Sequence, residues 1–285
     1  MVAGIGAVAI GAWHGSRASP ANGTVPQPQT ALVLAGRFIA GSNAAEREAA
    51  YRLDEAGYGH SLTRENGWYD KERPRAPFDL PSFHIALMPV TNDEYARFVV
   101  ATGHRAPNVT MAEWESYRLV HPFDRTRRFA WLGTQPPKGR ERHPVVLVAF
   151  DDAMAYANWL SASTGLPWRL PGELEWEKAA RGVDGRRFPW GDVFDPSRLN
   201  SHDQGPFDTM PVGSFPSGRG PWGLADMAGE VYEWTSTRAG EGRHMVKGGS
   251  WDDKGCGVCR AAARHSRPDG LKHIIIGFRV ARDGG

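Results

Sequence analysis

The 285-residue chain has only two cysteines, three apart in Cys256-Gly257-Val258-Cys259. That count excludes a four-cysteine zinc site and a framework of several disulfides. An excess of either charge is also missing. The 34 Lys and Arg against 32 Asp and Glu leave a net +2, and no basic block stands out. Nothing electrostatic therefore points to nucleic acid. Long apolar runs are absent too. Residues 2–13 form the one candidate. They fall short of the about 20 residues a membrane helix needs, so no transmembrane segment is expected in the mature chain. Internal repeats and low-complexity arrays are lacking, which excludes solenoids and propellers.

Glycine, proline and tryptophan are plentiful, at 34, 21 and 11 residues. They point to a loop-rich fold packed on aromatics. The apolar residues 2–13 lead into "HGSRASPANG", small and polar, as in a secretory signal and its cleavage region, although the basic start is missing. Residues 1–21 are thus expected to be a signal peptide, with a disordered tail as the alternative. Residues 22–30 read as a Pro-rich linker and 31–285 as the folded domain. An exported chain would be periplasmic or secreted, where two cysteines most often pair.

"ALVLAGRFIAGS" reads as strand broken by Gly36 and Gly41, and "NAAEREAAYRLDEAGYGHS" as helix and loop. "TNDEYARFVVATG" carries a capping box, Thr91 with Glu94, and a stop at Gly103. "HPVVLVAF" predicts a buried strand, and "DDAMAYANWLSASTG" and "PGELEWEKAARG" predict helices. From Phe188 onward Gly and Pro cut the chain into turns and short strands. "HMVKGG" and "IIIGFRVAR" read as strands of a closing sheet.

Six segments, in this order, carry a family likeness: "MPVTNDEYARFV", "HPVVLVAFDDAMAYANWLSASTGLPWRLPGELEWEKAARG", "FPWGD", "PVGSFPSGRGPWGLADMAGEVYEWT", "KGGSW" and "GFRVAR". The chain resembles the formylglycine-generating enzyme, or sulfatase-modifying-factor, family over roughly residues 31–283. The resemblance implies an α+β fold, a variant of the C-type lectin fold with little regular secondary structure. Members of that family oxidise a substrate cysteine with copper and oxygen, form C–S bonds in ergothioneine synthesis, or act in the periplasm on the chromophore of the siderophore pyoverdine. Some only bind ligands, so fold alone does not decide function.

The sulfatase-modifying members keep two active-site cysteines, separated by four residues, after a Gly-Gly-Ser-aromatic motif. Here Gly248-Gly249-Ser250-Trp251 is intact, but only Cys256 aligns with such a cysteine. Asp252 and Asp253 stand where the first would begin, and Cys259 falls at an aromatic position. A two-thiolate copper site needs both sulfurs aimed at one point, so the broken pair argues against copper and against formylglycine formation. Cys256 and Cys259 are left as a structural disulfide, a functional thiol pair or buried free thiols.

The resemblance also places Trp234, Ser250 and Trp251 along the active cleft, with Arg264 and His265 close behind the cysteines. Core packing for Trp234, a turn hydroxyl for Ser250 and a surface role for His265 are the plainer alternatives. "GEVYEW" matches a calcium-binding segment. Glu233 would supply the carboxylate, with carbonyls from Ala228, Gly229 and Val231, although Glu230 replaces the usual asparagine. Asn200 and the Ser201 carbonyl match part of a second calcium site, which Asp203 or Asp208 would complete. The ergothioneine branch's H-x-x-x-H-x-E iron motif is absent. The expected function is an exported tailoring oxidoreductase for a small or peptidic metabolite, such as a siderophore. Sulfatase maturation and non-enzymatic ligand binding are the alternatives. No oligomeric state is implied.

Overall fold

A computed structural model describes residues 25–284. The expected signal peptide, residues 1–21, and the first part of the linker lie outside the described residues. In chain order the elements are β1 (Thr30–Val33), β2 (Gly36–Ala40), α1 (Ala44–Tyr58), α2 (Leu62–Glu65), β3 (Ala76–Leu80), β4 (Phe83–Ala86), α3 (Asn92–Thr102) and α4 (Met111–Ser116). There follow α5 (Phe150–Thr164), α6 (Glu173–Arg181), β5 (Tyr232–Arg238), β6 (Arg243–Lys247), β7 (His265–Pro268), β8 (Ile276–Gly277) and β9 (Ala281–Asp283). No described helix is long and apolar enough to cross a membrane.

Two helices start as their sequences dictate. Asn43 with Glu46 caps α1, and Thr91 with Glu94 caps α3, each side chain taking an otherwise unpaired backbone N–H. Such caps contribute about 1 kcal/mol each. Tyr95 and Phe98 on α3 pack against Tyr156 on α5 and close the largest core.

Three sheets result, with strand orders β1-β4-β9, β2-β3 and β7-β6-β5-β8. The last is antiparallel except for the short parallel pairing of β5 with β8. In its register Trp234 faces Val246, and Val246 faces His265. Directly paired residues project to the same face, so Trp234 and His265 share one side of the sheet. Glu233 faces Lys247 and belongs to the other side. There α6 packs, with Trp176 fully buried between α6 and the sheet β1-β4-β9.

Two sequence expectations change. Residues 143–150 are buried as expected from Val145 to Ala149, but they form no strand. Pro144 makes a single bridge to Thr91, and Leu147 adopts a left-handed backbone at φ 59°, which ends any regular pairing. The final run is likewise two short strands, not one. Ile274, Ile276, Phe278 and Val280 are buried, but so is Arg279 on the opposite face. Both faces of that segment are therefore covered.

Candidate functional site

The turn after β6 organises the site. Gly248 and Gly249 take φ 105° and 72°, backbone that favours glycine. A Cβ on Gly249 would stand 2.5 Å from the sulfur of Cys259, so the turn lies directly on the cysteine loop. Ser250 then donates its backbone N–H and its hydroxyl to Oδ2 of Asp253, each at 2.8 Å.

Cys256 and Cys259 are joined as a disulfide with Cα atoms 4.8 Å apart, and both are fully buried. Cys256 is left-handed, and only a three-residue 3-10 turn, Gly257–Cys259, follows it. No long helix opens at the pair, unlike the usual redox motif. The loop is pinned from several sides. Gly257 N–H donates to Asp54 Oδ1 on α1 at 2.8 Å, and Gly255 N–H donates to Asp203 at 3.1 Å. Tyr69 also donates to Asp54. Arg260 holds Glu72 through two bonds of 2.6 and 3.2 Å, both side chains being buried. Among the described residues no cysteine is free. The two sulfurs are bonded to each other, so a dithiolate copper site does not fit this arrangement.

Beside the loop, one polar and aromatic group gathers. Asp253 is buried, and burial first, then the neighbouring charge of Asp252, pushes its carboxyl up to about 7. The Tyr232 hydroxyl lies 3.5 Å from Asp253 Oδ1, and burial holds that phenol well above its ordinary range. His265 sits edge-on to Tyr232 and to Trp68, with ring centres 6.0 and 5.4 Å apart. Burial, reinforced by Arg267, Lys247 and Arg260, drops its imidazole to about 3, so it is neutral near pH 7. Its Nε2 is buried without a partner among the described residues. Trp68, beside His265, is 37% exposed. The arrangement offers a near-neutral carboxyl, a neutral imidazole and a phenol, groups able to hold or pass a proton.

Other expected site residues are placed elsewhere. Trp234 donates its indole N–H to the Val148 carbonyl at 3.1 Å and is wholly buried. Arg264 leaves the cysteine loop and clamps Glu173 with bonds of 2.6 and 2.7 Å. Trp251 is buried against Phe129 and Phe207. In the sequence Asp253 stands only at the place of a missing cysteine, and Tyr232 and Trp68 belong to no site motif. The signal available for Asp253 was its position three residues after Ser250, where its carboxylate can return to the serine.

The calcium expectation meets a cation instead. Both oxygens of Glu233 accept from Arg279, at 2.6 and 2.7 Å, and Oε2 also accepts from Trp176 at 2.8 Å, with Glu233 and Arg279 fully buried. A carboxylate so neutralised does not fit a calcium ligand. Gly229 and Val231 lie beside the glycine turn, Gly229 N–H donating to the Gly248 carbonyl at 2.8 Å. At the second expected site, Asn200 Oδ1 is buried and unpartnered among the described residues. Yet Asp208 is taken by Arg140, Asp203 by Gly255, and the Ser201 carbonyl by Gly205. No described cluster of three or more His, Cys, Asp or Glu converges to hold a metal.

Short paired strands, scattered helices and long ordered loops around a glycine turn define an α+β protein of the C-type-lectin-like, formylglycine-generating-enzyme kind. Residues 16–284 match the sulfatase-modifying factor enzyme 1-like domain, and the chain belongs to that family. It is 32% identical over 267 residues to the formylglycine-generating enzyme of Streptomyces coelicolor, covering 75% of this chain and 82% of that protein. It is 34% identical over 251 residues to hercynine oxygenase of Mycolicibacterium smegmatis, covering 75% of this chain but 56% of that longer protein. Among solved structures, PvdO from Pseudomonas aeruginosa superposes with a TM-score of 0.66 at 23% identity, covering 90% of this chain and 95% of that one.

Proposed function

We propose that this chain is an exported oxidoreductase of the family that tailors a small or peptidic metabolite, of the siderophore kind, and does not make formylglycine. The observation that carries the reading is the Cys256–Cys259 disulfide. It removes both thiols from a copper-thiolate chemistry, while Asp253, Tyr232 and His265 gather beside it. Membership of a family that holds an oxygenase supports oxidation as the reaction class. The substrate would meet the cleft at Trp68 and His265.

Two incubations test this. A Cys-x-Pro-x-Arg peptide with copper and dioxygen should remain unconverted. A siderophore-precursor peptide incubated with dioxygen should yield an oxidised product, seen as the loss of two hydrogens while dioxygen is reduced to hydrogen peroxide. Formylglycine formation would overturn the reading.

A second reading is a ligand-binding protein on the same fold. The full burial of Trp234, Ser250, Trp251, Cys256 and Cys259 favours it. It predicts saturable binding of the precursor peptide with no product.

A further inference from the structure

Sites for small ligands are concave, mostly apolar and largely preformed, with a few polar groups at fixed places. Residues 123–138 border a cavity of about 630 Å³ that meets this description. Its walls are Phe123, Ala130, Trp131, Leu132, Pro136 and Pro137. None of its lining residues belongs to the glycine turn or the cysteine loop, so it is distinct from the site described above.

The walls are held in place. Trp131 is buried, donates its indole N–H to Asn92 Oδ1 at 3.2 Å and its backbone N–H to the Pro107 carbonyl at 3.0 Å. Leu132 and Gln135 exchange backbone bonds of 3.3 and 3.1 Å across a tight turn, in which Gly133 takes φ 59°. That turn holds Leu132 at the cavity's edge, 86% exposed. Pro136 and Pro137 have fixed φ, so the wall they form has little freedom to lose when a ligand enters.

Charge selects the ligand. The lining carries Arg127 and Lys138 and no aspartate or glutamate. Arg127 pairs with Asp124, but both side chains are exposed and solvent screens the pair. Lys138 makes no ion pair among the described residues. Glu141, the acid nearest to it in sequence, accepts the Gly139 N–H at 3.0 Å instead. An adjoining cavity shares Gln135, Pro136 and Lys138 but also holds Asp93 and Glu141. The acid-free cavity is therefore the one that favours an anion. The flat faces of Phe123, Trp131 and the two prolines suit a ring.

We propose that this cavity binds a small aromatic carboxylate, its ring against Trp131, Leu132 and Pro136 and its carboxylate toward Arg127 and Lys138. This goes beyond the oxidation proposed above and does not depend on it. It is read by binding alone, so failure to find an oxidised product leaves it standing.

The test is calorimetric titration of the full chain at low ionic strength with naphthoate, and with naphthamide as its uncharged counterpart. Naphthoate should bind saturably, and the amide at least about fivefold more weakly. Leu132→Asp, at an exposed position that folding does not need, removes apolar wall and adds a like charge. It should weaken naphthoate binding at least about tenfold. Lys138→Glu should weaken it at least about fivefold. Val193→Asp alters another exposed apolar residue, outside this cavity, and should leave binding unchanged. No saturable binding of naphthoate overturns the proposal, as does equal binding of the amide. So does binding that Leu132→Asp or Lys138→Glu leaves intact, or that Val193→Asp weakens equally.

Discussion

Ser250 gives both its backbone N–H and its hydroxyl to a single carboxylate oxygen of Asp253. The acid is buried, and its folded pKa rises from 3.8 to about 7. A group raised in this way stabilises the fold fully below its unfolded value, and that stability is lost as pH rises through the folded value. Asp253→Asn keeps an acceptor for Ser250 but has no charge to bury. The variant should match the natural chain at about pH 3.5, gain on it progressively between about pH 4 and pH 7, and melt at a higher temperature at about pH 8.5. Equal melting-temperature differences at the two pH values, by circular dichroism, would remove Asp253 as a near-neutral acid.

The Cys256–Cys259 bond closes a very short loop. Chain entropy alone gives a loop of this size about 2 kcal/mol. Cys256→Ser, Cys259→Ser and the double variant should therefore lose similar stability in denaturant titrations, since each removes the same bond. A double variant costing the sum of the two singles would mean that the sulfurs act separately.

Glu233 and Arg279 form a fully buried pair. Removing one partner from such a pair typically costs about 3–5 kcal/mol, because the other charge stays buried and unanswered. Glu233→Gln should be strongly destabilised, measured by urea unfolding. A chelator should leave the natural chain's melting temperature unchanged. A fall on adding chelator, restored by calcium, would return calcium to this site.

Trp68 stands edge-on to His265 and is partly exposed. Trp68→Ala should barely change the melting temperature, yet weaken binding of a precursor peptide about tenfold if a stacking surface worth 1–3 kcal/mol is lost. A large stability loss with unchanged binding would make Trp68 a packing residue only.

Much of the frame was legible in the chain. The capping box of α3, Thr91 with Glu94, and its stop at Gly103 are local signals, and they fixed that helix to within a residue or two. The ordered motifs around Gly248-Gly249-Ser250-Trp251 were enough for the fold. The failures have a common physical cause. Residues 143–150 look like a strand because apolar content reports burial, whereas pairing depends on backbone that Leu147 leaves. Glu233 resembled a calcium ligand because motifs show a carboxylate but not the distant Arg279 that neutralises it. Asp253, Tyr232 and Trp68 come together only through tertiary contacts between the glycine turn, β5 and the segment after α2. No spacing along the chain encodes that meeting.

The state of the two sulfurs tests the account most directly. The protein, folded under oxidising conditions, would be unfolded in an alkylating reagent without reductant and weighed by mass spectrometry. The account predicts no label on Cys256 or Cys259, and two labels after prior reduction. Two labels without reduction, in a protein that also binds copper and converts the Cys-x-Pro-x-Arg peptide, would contradict it.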